Sequence, residues 1–298
     1  MVINYAKSLR DNPEKKYSRS TVTNRIVAVL YFLDNNDIEL NKRKIRRYFP
    51  SDESVKDDRP YSYEEIQRVL SVCDLRTKAM ILLMVSSAVR IGFLSSMQIG
   101  DLQRIQFQNS ILYRIQVYAR TRDRYTTYCL PEGAKAIDEY LDYRKRCGEN
   151  LKDKSPLFRK HFNKDDPFTI NIPHFLTDEA VMKSNDGVLK RSGVKTAEVM
   201  RSHAFRKGFK SICEQSGTKS INVEILLGHD IGVSGHYYRP QESDILEDLM
   251  THASDALTIS EEHRLRKQMQ QMHLEHSAEW QELKQAYQEL KDLVNRKA

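Results

Sequence analysis

One segment limits the fold more than any other. Thr77 to Val89, TKAMILLMVSSAV, is apolar almost all the way round. A helix without a polar stripe has no face to give to water, so other elements must cover it on every side. It is also too short for the roughly 20 residues needed to cross a bilayer. The chain must therefore build a layered globule around this helix. Just upstream, YSYEEIQRVLSVC places Ser62 three residues before Glu65, the spacing of a capping box, which starts another helix. Arg90 follows the apolar helix directly. A charge in that position is either paired structurally or aimed into a site.

The remaining pattern is mainly α with a small antiparallel β-sheet, an α+β class. Ile111 to Leu130 alternates apolar and polar residues around Arg120 to Arg124, which predicts a β-hairpin with Arg120, Arg122 and Arg124 in its turn. EGAKAIDEYLDYRKRCG returns to helix, and the stretch up to Phe175 is less regular. Near the start, STVTNRIVAVLYFLDNN sets Val22, Ile26, Val29, Leu30 and Leu33 on one helical face, with Ser20 as the expected N-cap. PSDESVKDDRP, between Pro50 and Pro60, has the composition of a linker. Three parts are expected: a helical module over 1–58, a main domain over 59–258 and a C-terminal helix over 259–298. In the last, Leu265, Met269, Met272, His276, Trp280, Leu283, Tyr287, Leu290 and Val294 recur every three or four residues, so the helix is amphipathic. It either packs on its own domain or is exchanged between protomers.

Charge narrows the partners. The net charge is +7, but from residue 241 onward 7 Lys+Arg stand against 12 Asp+Glu, leaving 41 against 29, or +12, for residues 1–240. Such a surface suits a polyanion such as nucleic acid. Lys42, Arg43, Lys44, Arg46 and Arg47 alternate with Ile45 and Tyr48 in LNKRKIRRYFP, which fits either a solvated helix face or contact with a phosphate backbone. Cys73, Cys129, Cys147 and Cys213 have no CxxC spacing, against both a zinc site and a disulfide framework. His161, Asp165 and Asp166 sit in a polar segment and read as solvated rather than metal-binding. The N-terminus lacks a signal peptide and no membrane span is present, so a cytoplasmic protein is expected.

The candidate chemistry lies in RSHAFRKGF and LLGHDIGVSGHYYRP. His203 and Arg206 are three residues apart, hence on one face of a helix that Ser202 can cap and Gly217 can end. Both can reach one phosphate. A second helix, SINVEILLGH, stops at Gly228 and presents His229, with Tyr238 nine residues further on and Tyr237 as a rival nucleophile. An HxxR pair alone is weak in an Arg-rich chain; order and spacing make it specific.

In that order and spacing the chain resembles the tyrosine recombinase (phage-type integrase) family, and more particularly its archaeal branch. The family's signature is an arginine after a buried helix, a hairpin lysine, HxxR, then LGH and a tyrosine nine residues later. SSAVRIG supplies Arg90, SHAFRKGF supplies His203 and Arg206, LLGH supplies His229, and HYYRP supplies Tyr238 as the implied nucleophile. The N-terminal helices resemble a shortened core-binding domain. Two positions depart: Arg122 stands where most members have a lysine, and Phe93 where many have a glutamate.

The resemblance implies a site-specific recombinase that cleaves and rejoins double-stranded DNA through a 3′-phosphotyrosyl link, with no cofactor and no metal, in a synaptic homo-oligomer. Arg90 and Arg206 would clamp the phosphate, since a guanidinium can give it two hydrogen bonds. His203 would take the phenol proton and His229 would donate to a phosphoryl oxygen. Arg122, always charged, would give charge to the leaving oxygen but a proton only poorly. A topoisomerase-like enzyme and a catalytically idle DNA-binding regulator are the alternatives; strand exchange between two duplexes, or covalent adducts, tell them apart.

Overall fold

The structure, a computed structural model, describes residues 1–51, 59–194, 199, 201–262 and the helical positions 265, 269, 272, 280 and 284. The chain divides into two units, Met1–Asp57 and Asp58–Ala298. In the first, α1 (Val2–Arg10), α2 (Arg19–Asp34) and α3 (Lys42–Arg46) close over Val2, Ala6, Leu9, Val22, Ile26 and Ile45. The cap of α2 is Ser18, whose hydroxyl accepts from the Thr21 amide at 3.2 Å; Ser20 falls inside the first turn. In α3 only Ile45 is buried, so Lys42, Arg43, Lys44 and Arg46 all face solvent around one apolar anchor.

The second unit opens with α4 (Tyr63–Ser71), whose capping box is complete: Ser62 accepts from the Glu65 amide at 3.3 Å and Glu65 from the Ser62 amide at 2.9 Å. Next comes α5 (Leu75–Ser87), buried at every residue from Ala79 to Ser87. The two polar residues of that buried stretch stay inside because Ser86 and Ser87 return their hydroxyls to the carbonyls of Leu82 and Leu83, at 2.8 and 2.6 Å. The helix ends at Ala88 in the left-handed region, φ 54.

The strands β1 (Leu102–Phe107), β2 (Ser110–Val117) and β3 (Tyr125–Cys129) form an antiparallel sheet in the order β1-β2-β3. The expected hairpin is β2 with β3, and β1 is an addition to it. After the sheet, α6 (Pro131–Arg146) packs on α5 so closely that a Cβ at Gly133 would lie 2.8 Å from the Ser86 hydroxyl oxygen. The rest is helical: α7 (Pro167–Asn171), α8 (Asp178–Arg191), α9 (Arg201–Gln215), α10 (Ser220–Leu226), α11 (Ser234–Tyr237) and α12 (Glu242–His252). Because α9 begins at Arg201, Ser202 lies within its first turn and does not cap it. Among the described residues no helix is long and apolar enough to cross a membrane, and all four cysteines are free thiols. Most of the C-terminal stretch from 263 lies outside the described residues; Leu265, Met269, Met272 and Trp280 are helical and exposed.

One buried ion cluster fixes the loop after α6. Glu149 accepts from Arg144 Nε at 2.9 Å and from Arg159 at 2.6 Å, with Arg144 and Arg159 0% and 2% exposed. Burial alone would raise the Glu149 pKa, but the bonds from the two guanidiniums outweigh it and hold the carboxyl below its usual range. Removing one partner of a buried pair strands the others, typically at 3 kcal/mol or more. Glu149→Gln should therefore lose about 3 kcal/mol in urea unfolding at neutral pH. The contribution is present above the unfolded carboxylate pKa and fades as pH falls through the lower folded value, so the gap to wild type should narrow in acid.

Candidate active site

The site grows from one buried cation. Arg206 on α9 is 7% exposed and has no carboxylate bonded to it among the described residues. Its guanidinium donates to the carbonyl of Ala88 at 2.7 Å, to the carbonyl of Leu227, and to Nε2 of His229 at 3.0 Å. Ala88 ends α5 and Leu227 ends α10, so a single side chain from α9 ties two other helix ends together. Burial lowers the Arg206 pKa, Tyr125 raises it, and Arg90, near enough to be felt, lowers it again. Arg90, two residues beyond Ala88, is exposed. Two cations thus lie near enough to feel each other, and among the described residues no carboxylate is hydrogen-bonded to either.

His229 is held from its other side. Its Nδ1 hydrogen-bonds Glu224 on α10, which also binds Lys210 on α9. Burial would raise the Glu224 pKa, but the bonds to Lys210 and His229 prevail and keep the carboxyl below its ordinary range. Since Arg206 has only N–H groups to offer, Nε2 must be the accepting nitrogen and Nδ1 the protonated one in this state. The ring is fixed in tautomer and orientation before any substrate arrives.

Tyr125, at the start of β3, completes the floor. Burial raises its pKa while Arg206 and Arg90 lower it, so the ring lies against both charges. Its buried hydroxyl makes no well-aligned hydrogen bond among the described residues. Gly228 permits this approach: a Cβ there would sit 2.4 Å from the Tyr125 ring, and its φ of 63° suits glycine.

The remaining sequence candidates fall differently. His203 is exposed on α9, one turn before Arg206. Tyr238 is half-buried and donates to Asn222 Oδ1 at 2.8 Å, and Asn222 in turn donates to Asp248 at 2.7 Å. Its phenol is therefore bonded to α10 and to neither arginine. Tyr237 is 87% exposed. In the hairpin turn Arg120 is bound to Asp101, at 3.2 and 3.3 Å, and to Gln98 at 3.0 Å, while Arg122 and Arg124 face solvent. Phe93 is buried, edge-on to Tyr118. Nor is His161 near a metal-type cluster: its Nε2 meets Arg76 at 2.9 Å, and no group of three His, Cys, Asp or Glu side chains among the described residues could hold a metal. Glu224 and Tyr125 are the residues that sequence reasoning did not single out.

A helical domain with a three-stranded sheet, gathering two arginines and a carboxylate-held histidine beside a tyrosine, has the parts of a phosphoryl-transfer site for DNA strands. Residues 61–244 match the phage integrase family, well over half of the chain, and the protein belongs to that family. Among solved structures it is similar to the XerH site-specific recombinase bound to palindromic difH substrate in a post-cleavage complex. That match has 16% identity over 82% of this chain and 67% of the other, with TM-score 0.54. It is also similar to the Tn1549 transposon integrase in complex with circular intermediate DNA, with 15% identity over 84% and 83% of the two chains and TM-score 0.51. At such identities the likeness is one of fold. No curated protein matches the chain.

Glu224→Ala should release the His229 ring. Nitrogen NMR of the imidazole is expected to report Nδ1 protonation in the wild type and a mixture of tautomers in the variant. An unchanged tautomer would assign the orienting role to Arg206 alone.

Proposed function

We propose that the protein is a site-specific DNA recombinase in which Tyr238 is the nucleophile. The observation that carries this reading is the convergence of Arg90, just past the end of α5, and His229, just past the end of α10, on Arg206 from the body of α9, with no protein anion bonded to either arginine among the described residues. In the reaction the Tyr238 oxygen bonds to phosphorus and the bond from phosphorus to the 5′ oxygen breaks. His203 takes the phenol proton, and the departing 5′ oxygen takes up a proton, from His203 or from water, and ends as a hydroxyl. Charge grows on the non-bridging oxygens beside Arg90 and Arg206, and each such donor is worth about 3 kcal/mol of barrier; His229 joins them once its Nε2, which accepts from Arg206 in this state, carries a proton and turns to the phosphate. The phosphotyrosine link keeps the ester bond energy, so a 5′ hydroxyl from a second strand can reverse the step without ATP. Tyr238 must first leave Asn222 to reach the phosphate.

Several parts of the reading extend beyond the site. The exposed cations Lys42, Arg43, Lys44, Arg46 and Arg47 suit the backbone of double-stranded DNA, supporting a core-binding role for the N-terminal unit, as do Arg120 and Arg124 in the main domain, the former through the charge that Asp101 leaves exposed. The similar structures named above were solved on DNA. Self-association into a synaptic complex is supported by the exposed apolar positions Leu265, Met269, Met272 and Trp280, 52% to 68% accessible. A cytoplasmic setting follows from DNA as substrate, and the place in the archaeal branch rests on the sequence resemblance.

Incubated with a pool of randomised duplexes nicked on one strand, the wild type should form a protein–DNA adduct stable in denaturing gels. Tyr238→Phe should abolish the adduct and keep DNA binding; an adduct that persists moves the nucleophile to Tyr237, and binding with no adduct in the wild type favours an idle regulator. Relaxed plasmid without strand exchange between two marked duplexes would favour the topoisomerase-like activity. In the same assay Arg122→Lys should keep or raise the cleavage rate, because an ammonium can give up a proton that a guanidinium holds. A large loss would show that the site uses the planar fork of arginine.

A further inference from the structure

A second cationic site lies at the other end of α5. There a cleft of about 240 Å3 is lined by Arg76, Arg159, Lys160, His161, Tyr143 and Phe162, among others. Helix α5 separates it from Arg90: thirteen residues at 1.5 Å each put the two ends on the order of 20 Å apart. It is not an extension of the candidate active site.

Its charge is out of balance. Arg76, Arg144 and Arg159 are 7%, 0% and 2% exposed, and the buried carboxylate they have is Glu149, which serves Arg144 and Arg159 together. Arg76 gives its terminal nitrogens to the Arg159 carbonyl and to His161 Nε2, both at 2.9 Å. Asp74, on the rim, caps the α5 amide of Thr77 at 2.7 Å, stands 4.0 Å from His161 Nε2 and is near enough to Arg76 to feel its charge, so it is a partial counterion from the exposed side. The Nε atoms of Arg76 and Arg159 are both buried and both without a hydrogen-bond partner among the described residues. Lys160 adds a further exposed cation. A buried guanidinium with only a partial, exposed counterion is poorly compensated, and an unsatisfied buried N–H adds its own desolvation. An anion seated in the cleft supplies the missing charge.

We infer that this cleft binds a phosphate group, either free or as a nucleoside monoester. Guanidinium and ammonium groups recognise tetrahedral oxyanions by charged hydrogen bonds, and Tyr143, 36% exposed beside the Arg159-covered ring of Phe162, offers an aromatic surface for an attached base. The source, a free small molecule or the DNA backbone, separates in the test. The full chain is titrated calorimetrically with inorganic phosphate, with 5′-dAMP and with a short duplex, at constant ionic strength in chloride. Arg206→Gln removes phosphate binding at the candidate active site, so the remaining event reports the cleft. The expected result is saturable phosphate binding in Arg206→Gln that weakens about tenfold when Lys160→Gln is added, the loss of one charged hydrogen bond. Arg76→Gln should weaken it further; if that variant does not fold, the exposed Lys160→Gln still decides. Tighter binding of 5′-dAMP than of phosphate assigns a mononucleotide, whereas displacement of bound phosphate by the duplex assigns the DNA backbone. No binding in Arg206→Gln, or binding indifferent to Lys160→Gln, overturns the inference. The reading of Tyr238 as nucleophile stands or falls separately, on the covalent adduct.

Discussion

The geometry of the candidate site depends on burying Arg206 without a carboxylate bonded to it. Taking a guanidinium out of water costs several kcal/mol, and hydrogen bonds from a charged donor return about 1.5 to 3 kcal/mol each. Three such bonds, to Ala88, Leu227 and His229, make the position tenable. They also dictate where the surrounding chain must go. The Ala88 carbonyl can point inward because α5 ends in a left-handed residue, and the Leu227 carbonyl because Gly228 turns the chain behind it. The two left-handed conformations, one at Ala88 and one at a glycine, are the ones that give the cation its acceptors.

Placing a positive charge on carbonyls rather than on a carboxylate has a chemical consequence. A carboxylate would neutralise the guanidinium and compete with an incoming phosphate; carbonyl dipoles stabilise the charge and leave it available. The carboxylate of the site is set one step back, on Glu224, where it touches His229 and Lys210. There it fixes the ring that stands against Arg206. Where related chains carry a glutamate after the first arginine, Phe93 is packed against Tyr118 as part of the core, so that position supports the wall and takes no part in hydrogen bonding.

What was legible in the sequence was whatever is written locally. The apolar α5, the Ser62–Glu65 capping box, the β2–β3 alternation and the ordered set from Arg90 to Tyr238 all depend on spacing along the chain. The Ser18 cap was confusable with Ser20 because either serine precedes the same apolar face. Strand β1 was hidden because it is half polar and joins β2 through a turn with Gln108 at φ 50, a residue that does not announce a left-handed position. Tyr125 and Glu224 gave no signal for a different reason. One acts through residues 81 places away and the other looks like an ordinary helix carboxylate; only packing shows that each lies against the cation or its histidine. Arg144 and Glu149 likewise sit in RKRCGEN, which reads as solvated charge until the loop folds back over them.

The hairpin turn shows how much a structure adds to a charge count. Arg120, Arg122 and Arg124 are alike in sequence, yet Arg120 is bound to the buried carboxylate of Asp101, which holds the base of the turn in place. Its charge is half compensated and its geometry fixed. Arg122 and Arg124 remain at the exposed end, on a segment whose root is anchored but whose tip carries its charge outward. An anchored root with an exposed cationic tip suits a group that must meet DNA and move with it. It does not suit general acid catalysis, since a guanidinium at neutral pH gives up its proton too rarely to serve a leaving oxygen. If the 5′ oxygen is protonated from within this site, the proton must come from a group other than the hairpin arginines. In the proposed scheme His203, one turn of helix from Arg206, takes the phenol proton as the covalent link forms and would be the side chain then holding a proton to return.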